Sequence, residues 1–300
     1  MPNTQRTFIP GDSWVYYKIY TGTKTSDIIL TEAIKPIAEI LYQKECIDQW
    51  FFIRYADPNH HIRVRFHYKD AAALGTIMKT VYEQLHAFAK ADLIWKIQVD
   101  TYNREIERYG EAHIEAAEKL FSHESEMIVN FLDLIDGEEG EELRWLFAIR
   151  ALDTMLSDFG YSEDQKLVFM ERLKTGFGLE FGMNKFLKKQ LDEKFRSKRE
   201  KITFFIDFKV EDRPEYQPLL EILAYKSEQS KDTITWLKES ATGQEIDNYL
   251  GSYAHMLMNR MFRSKNRLHE MVVYDLLYRH YKVAWGIRTF KNKKNKVVKK

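Results

Sequence analysis

The chain has 300 residues, 44% of them hydrophobic and 14% aromatic, which excludes an intrinsically disordered protein and leaves room for a sizeable core. Its 46 Lys and Arg balance 45 Asp and Glu, which excludes a general nucleic-acid coat. From Arg288 the sequence reads RTFKNKKNKVVKK, with seven cations and no acid, so the remainder carries a net charge of about −6.

In chain order, SWVYYKIY (13–20) reads as a strand. Residues 26–45 read as a helix capped by Ser26 or Asp27, with Ile28, Ile29, Ala33, Ile37, Ile40 and Leu41 on one face. Pro36 inside it predicts a kink or break. QWFFIRY (49–55) and 61–68 are two further strands joined by the turn residues Asp57-Pro58-Asn59, so 49–68 reads as a hairpin. A helix over 70–90 and a strand over 93–102 follow. The order is strand–helix–strand–strand–helix–strand, that of a ferredoxin-like split βαβ sheet over residues 1–105. The rest reads as helices over 111–136, 139–159, 162–177, 183–197, 215–239, 243–262 and 265–282. TFFIDF (203–208) reads as a short strand or a buried connector. The expected class is α+β: one domain over 1–285, sheet in 1–105 and helical in 106–285. Residues 286–300 are expected to form a disordered basic tail.

One cysteine, Cys46, excludes an intrachain disulfide and reads as a small core residue. No signal-peptide pattern opens the chain, and no apolar run reaches the ~18 residues of a membrane span, so the cytoplasm is the default location. No phosphate loop, CxxC or HExxH is present, and no dinucleotide fingerprint follows a strand; neither a metal nor a cofactor is expected.

Three stretches carry candidate chemistry. In HIRVRFH (61–67), His61, Arg63, Arg65 and His67 alternate with Ile62, Val64 and Phe66, so one strand face holds only cationic or cationisable groups. Arg63 and Arg65 stand ~6.5–7 Å apart and repel unless an acid lies between them. Either carboxylates of this chain neutralise them, or they hold an anionic ligand by charge-assisted bonds. In DTYNREIERYG (100–110), Arg104 and Arg108 share a helical face with Glu105 and Glu107 nearby, a pattern that also suits local ion pairing. In SYAHMLMNRMF (252–262), His255 and Asn259 share a face and Arg260 lies one position on. That polar stripe is costly on an apolar helix unless it is partnered.

With SWVYYKIYTG, QWFFIRYADPNHHIRVRFH, DTYNREIERYG and AHMLMNRMF in place, the chain resembles the C-terminal elimination domain of lantibiotic dehydratases. That domain also occurs as a stand-alone chain, a thiopeptide-type bacteriocin biosynthesis protein. The resemblance runs to about residue 282, and the family's RYGG reads RYGE here, with Glu111. It implies a lyase that removes glutamate from glutamylated Ser or Thr of a ribosomal precursor peptide, leaving dehydroalanine or dehydrobutyrine. A separate glutamyl-tRNA-dependent protein would add the glutamate, since no glutamylation domain is recognised in the sequence. No direct nucleic-acid contact is expected, and a homodimer stays open. The resemblance carries the essential arginines onto Arg63, Arg65 and Arg104 and the essential histidine onto His255. Arg54, His61, Arg108, Asn259 and Arg260 complete the expected substrate contacts. Arginine stays protonated at neutral pH, so the arginines would bind carboxylates and neutralise developing charge. Histidine ordinarily titrates nearest neutrality and is the acid–base candidate. Two alternatives remain: a pyridine synthase performing a formal [4+2] cycloaddition on a dehydrated peptide, and a non-catalytic subunit that positions the precursor.

Overall fold

The structure, a computed structural model, describes residues 4–209 and 211–298, with side chains as far as Lys291. The described chain gathers into two compact units. One comprises the residues up to Ile135 together with Ala224–Ser264; the other comprises Asp136–Leu223 together with the residues from Lys265 onward. Residues of the domain expected over 1–285 fall in both units, and its helical part is shared between them.

The first unit holds the sheet. Its elements are β1 (Thr7–Phe8), β2 (Trp14–Thr21), α1 (Thr25–Ile29), α2 (Lys35–Gln43), β3 (Gln49–Tyr55), β4 (His61–His67), α3 (Ala73–Lys90), β5 (Ile94–Asp100), β6 (Tyr102–Asn103), α4 (Ile106–Tyr109) and α5 (Ile114–Asp133). The four long strands are ordered β3-β4-β2-β5, all pairings antiparallel, as the split βαβ reading requires. The first helix is distorted next to Pro36 without being interrupted: Leu30–Ile34 wind as a π-helical turn between α1 and α2. A proline cannot donate to the carbonyl four residues back and its ring crowds that carbonyl, so the wider turn makes room. β1 and β6 form a separate two-stranded ribbon, with Thr7 opposite Asn103. Two-residue strands carry no readable alternation.

Alternation decides the two sheet faces. Ile62, Val64 and Phe66 of β4 join Val15 and Ile19 of β2 and Trp50 and Phe52 of β3 in a row that is almost wholly buried. The other face carries His61, Arg63, Arg65 and His67 in register with Tyr20, Lys18, Tyr16 and Trp14 of β2.

The outer edge of β3 is sealed by side chains. Ser122 and Ser125 of α5 accept from the Trp50 and Phe52 amides, each at 3.2 Å. Asn259 of α10 (Gly243–Met261) accepts from the Arg54 amide and donates to the Arg54 carbonyl, each at 2.9 Å. Arg260 donates to the Phe52 carbonyl at 2.8 Å. Buried strand-edge groups need partners, and here serine, asparagine and arginine replace a fifth strand.

The second unit is helical. Its elements are α6 (Gly137–Asp158), α7 (Glu163–Glu180), α8 (Lys185–Asp207), the opening turns of α9 (Gln217–Ser240), and α11 (Asn266–Val298). α11 packs along α7, α8 and α6. Ion pairs join its helices, among them Arg279 with Asp192 at 2.9 Å and Lys166 with Asp153 at 2.8 Å.

Two expectations are corrected. Residues 203–207 of TFFIDF close α8 as helix, and Phe208 caps it. Phe205 and Phe208 are buried there, so the aromatic run reflects helix packing, not a strand. The tail expected to be disordered over 286–300 continues α11 as helix to Val298; residues 299 and 300 lie outside the described chain. Lys and Arg are good helix formers, and a helix already nucleated upstream extends through them at little cost. No described helix is long and apolar enough to cross a membrane.

Candidate functional site

The two arginines of β4 sit differently. Arg63 is half-buried, its guanidinium 3.5 Å from the Tyr55 ring centre, and its Nε donates to His61 Nε2 at 3.0 Å. That bond needs a neutral His61 with its proton on Nδ1, which faces the Asn59 carbonyl at 2.8 Å. Burial, reinforced by Arg63 and Lys18, holds the His61 pKa below the usual histidine range and keeps the ring neutral.

Arg65 is buried, and its guanidinium lies 4.4 Å from the Tyr16 ring centre, 4.7 Å from Tyr102 and 5.1 Å from Phe51. Its Nε and Nη1 have no hydrogen-bond partner among the described residues. Burial pulls its pKa down, opposed by Tyr102 and Tyr16. An arginine nevertheless stays charged at neutral pH. Between the two readings of the β4 arginines, no carboxylate among the described residues forms an ion pair with Arg65, and Glu105 acts on it only through its field.

Arg65 borders a small cavity of about 40 Å³, lined also by Ile53, Glu105, Tyr109 and Met256. Tyr109 is buried, and desolvation pushes its pKa up, so its hydroxyl keeps its proton. An unpartnered cation and a protonated phenol suit a carboxylate or another small anion, and Glu105, which also lines the cavity, is paired with Arg108.

The remaining candidates divide by their contacts. Arg104 is committed: Glu118 accepts from its Nε at 2.8 Å and from its Nη2 at 2.7 Å, and Phe8 stacks over it. Arg54 is also committed, donating to Ser26 and Asp27 at 2.6 Å and to the Arg260 carbonyl at 2.9 Å. Arg260 is wholly buried, ion-paired with Glu124 and stacked on Phe121. Burial raises the Glu124 pKa, and Arg260 opposes the rise. These three arginines, with Asn259, join helices to strands.

Arg108 is exposed, 3.2 Å from Glu105, and its side chain reaches Tyr109. It therefore stands next to two residues of the cavity wall. His255 is half-buried on α10, adjacent to Met256 of the wall and one turn before Asn259, which grips β3. α4 ends at Gly110 with φ +73°, a conformation that favours glycine. Glu111, where the family pattern has a second glycine, is exposed and leaves this turn intact.

Sequence reasoning missed Tyr16, Phe51, Tyr102, Tyr109 and Met256. Their spacing reads as core, and only the packing of β6, α4 and α10 gathers them around Arg65. Among the described residues no cluster of His, Cys, Asp and Glu could hold a metal ion.

Comparison with known proteins matches residues 14–281 to the family described as "Lantibiotic biosynthesis dehydratase C-term". The subtilin biosynthesis protein SpaB of Bacillus subtilis is 30% identical over 189 residues, covering 59% of this chain and 17% of SpaB. The chain thus spans under a fifth of that relative's length. The tRNA-dependent lantibiotic dehydratase MibB of Microbispora sp. 107891 superposes with a TM-score of 0.72 at 19% identity, covering 94% of this chain and 29% of MibB. TbtD, the pyridine synthase from thiomuracin biosynthesis, superposes with a TM-score of 0.66 at 11% identity, covering 92% of this chain and all of TbtD.

Proposed function

The chain belongs to the lantibiotic biosynthesis dehydratase C-terminal family, and on that premise we propose that it eliminates glutamate from glutamylated Ser or Thr in a precursor peptide. The observation that carries this is Arg65: a buried guanidinium with two unmet donors, held by three aromatic rings at the edge of a cavity. A substrate carboxylate supplies the missing acceptors. In the elimination the Cα–H bond breaks, its electrons form the Cα=Cβ double bond, and the Cβ–O bond releases glutamate as a carboxylate. Arg65 binds the departing carboxylate and neutralises charge as it develops, in a site where little water competes. The Tyr109 hydroxyl donates a further hydrogen bond. Arg63, half-buried, and Arg108, exposed, hold the rest of the glutamyl group and the peptide. His255, half-buried on α10 and next in sequence to Met256 of the wall, takes the Cα proton in this reading. Arg104, Arg54 and Arg260 have a positioning role, because each is already held by a carboxylate of this chain: Glu118, Asp27 and Glu124. The chain works with a separate protein that glutamylates the peptide from glutamyl-tRNA, in the cytoplasm, where charged tRNA is made.

The test is mass spectrometry of a precursor peptide given the glutamylating partner, glutamyl-tRNA and this chain. The parent should give water-loss products. Arg65→Ala and His255→Ala should accumulate glutamyl adducts, His255→Ala by removing proton transfer worth ~10²–10⁴ in rate. A parent that leaves authentic glutamyl peptide intact yet closes a ring on a dehydrated peptide is a pyridine synthase. One that binds and does neither is a positioning subunit.

A further inference from the structure

The two edges of the four-stranded sheet differ. β3 is sealed by Ser122, Ser125, Asn259 and Arg260, whereas nothing among the described residues pairs with the outer edge of β5. Proteins usually blunt such an edge with bulges, prolines or a covering segment. In β5 the register with β2 shifts only at Tyr20/Thr21, near its start, and Lys96–Asp100 pairs regularly. Its side chains are bare for an apolar row: Trp95 is 55% exposed, Ile97 39% and Val99 41%. Beside them α3, which packs on β5, exposes Met78 and Tyr82. An open edge flanked by an apolar strip is the geometry of strand addition.

We propose that β5 pairs antiparallel with β5 of a second copy of this chain, about a two-fold axis through Gln98, joining the two sheets into one of eight strands. The sequence of β5 is self-complementary in that register. Ile97 faces Val99 of the copy on one side of the sheet, and on the other Lys96 faces Asp100. A lysine on an open edge guards it against foreign strands. Against its own copy this lysine meets an acid. Asp100 already pairs with Lys18 and is partly exposed, and its carboxylate has lone pairs for a second cation. Centring one residue earlier, on Ile97, would set Ile94 against Asp100 and leave Lys96 opposite Gln98, so charge selects the Gln98 axis. A two-fold, isologous contact of this kind closes on itself and builds no fibre.

Sedimentation velocity on the full chain between about 1 and 100 µM should show a dimer that dissociates on dilution. Ile97→Lys changes an exposed position and should give a monomer with the parent's circular dichroism, and with the parent's melting at dilutions where both are monomeric. Lys96→Glu opposes like charges twice across the axis and should weaken the dimer about tenfold. In a Cys46→Ser background, Gln98→Cys should form an interchain disulfide on mild oxidation, and Lys90→Cys, off the axis, should not. A chain that is monomeric throughout overturns the proposal, as does an Ile97→Lys variant that dimerises as before. A monomer whose precursor-peptide binding is lost with Ile97→Lys assigns the edge to a peptide strand instead, and equally overturns it.

Discussion

Replacing Arg65 by methionine, similar in length but uncharged, tests whether the arginine serves the ligand or the fold. Two unmet buried donors cost about 1–3 kcal/mol each. The three rings around the guanidinium return roughly 0.5–2 kcal/mol apiece. Methionine keeps favourable sulfur–ring contacts and adds no unmet donor. Arg65→Met should therefore leave the free protein as stable as the parent or more so, by about 1–2 kcal/mol, while elimination is lost. The assay is urea denaturation of both proteins, free and with added glutamate. At ten times its dissociation constant, glutamate should stabilise the parent by about 1.4 kcal/mol and the variant not at all. A variant destabilised by more than about 1 kcal/mol, with an unchanged response to glutamate, would refute the reasoning and make Arg65 a structural residue.

Arg104→Ala should behave oppositely, since it strands the buried Glu118 carboxylate; a loss of about 3–5 kcal/mol in denaturation is expected. Asn259→Ala removes both bonds to the Arg54 backbone and should cost about 1–3 kcal/mol, with faster hydrogen exchange at the Arg54 amide as the local readout. His123 should make stability depend on pH. Burial, then Lys226 and Lys119, lowers its pKa to about 4, so between the ordinary histidine value and about 4 the unfolded chain binds the proton and the folded one does not. Stability should fall on acidification through that window, by on the order of 2 kcal/mol once its partial exposure is allowed for, and His123→Gln should remove that component from denaturation curves taken across pH.

The sequence alone determined the sheet and most helices, because their signals are local. Alternation in HIRVRFH marks a two-faced strand whatever lies around it, and Asp57-Pro58-Asn59 closes the hairpin. Pro36 distorts its helix by its own geometry. The quoted motifs also determined the family, since a stretch as long as QWFFIRYADPNHHIRVRFH carries it without reference to structure. Which cation is free was decided only by the tertiary structure. Arg54, Arg65, Arg104 and Arg260 look alike in a sequence, because pairing depends on residues tens or hundreds of positions away: Glu118 and Phe8 reach Arg104, Glu124 reaches Arg260, and Asp27 reaches Arg54. Of these four described arginines, Arg65 alone is held by aromatic rings in place of an ion pair. The sealing of β3 and the exposure of β5 arise in the same way, since an edge is defined by what the rest of the chain does or does not bring to it.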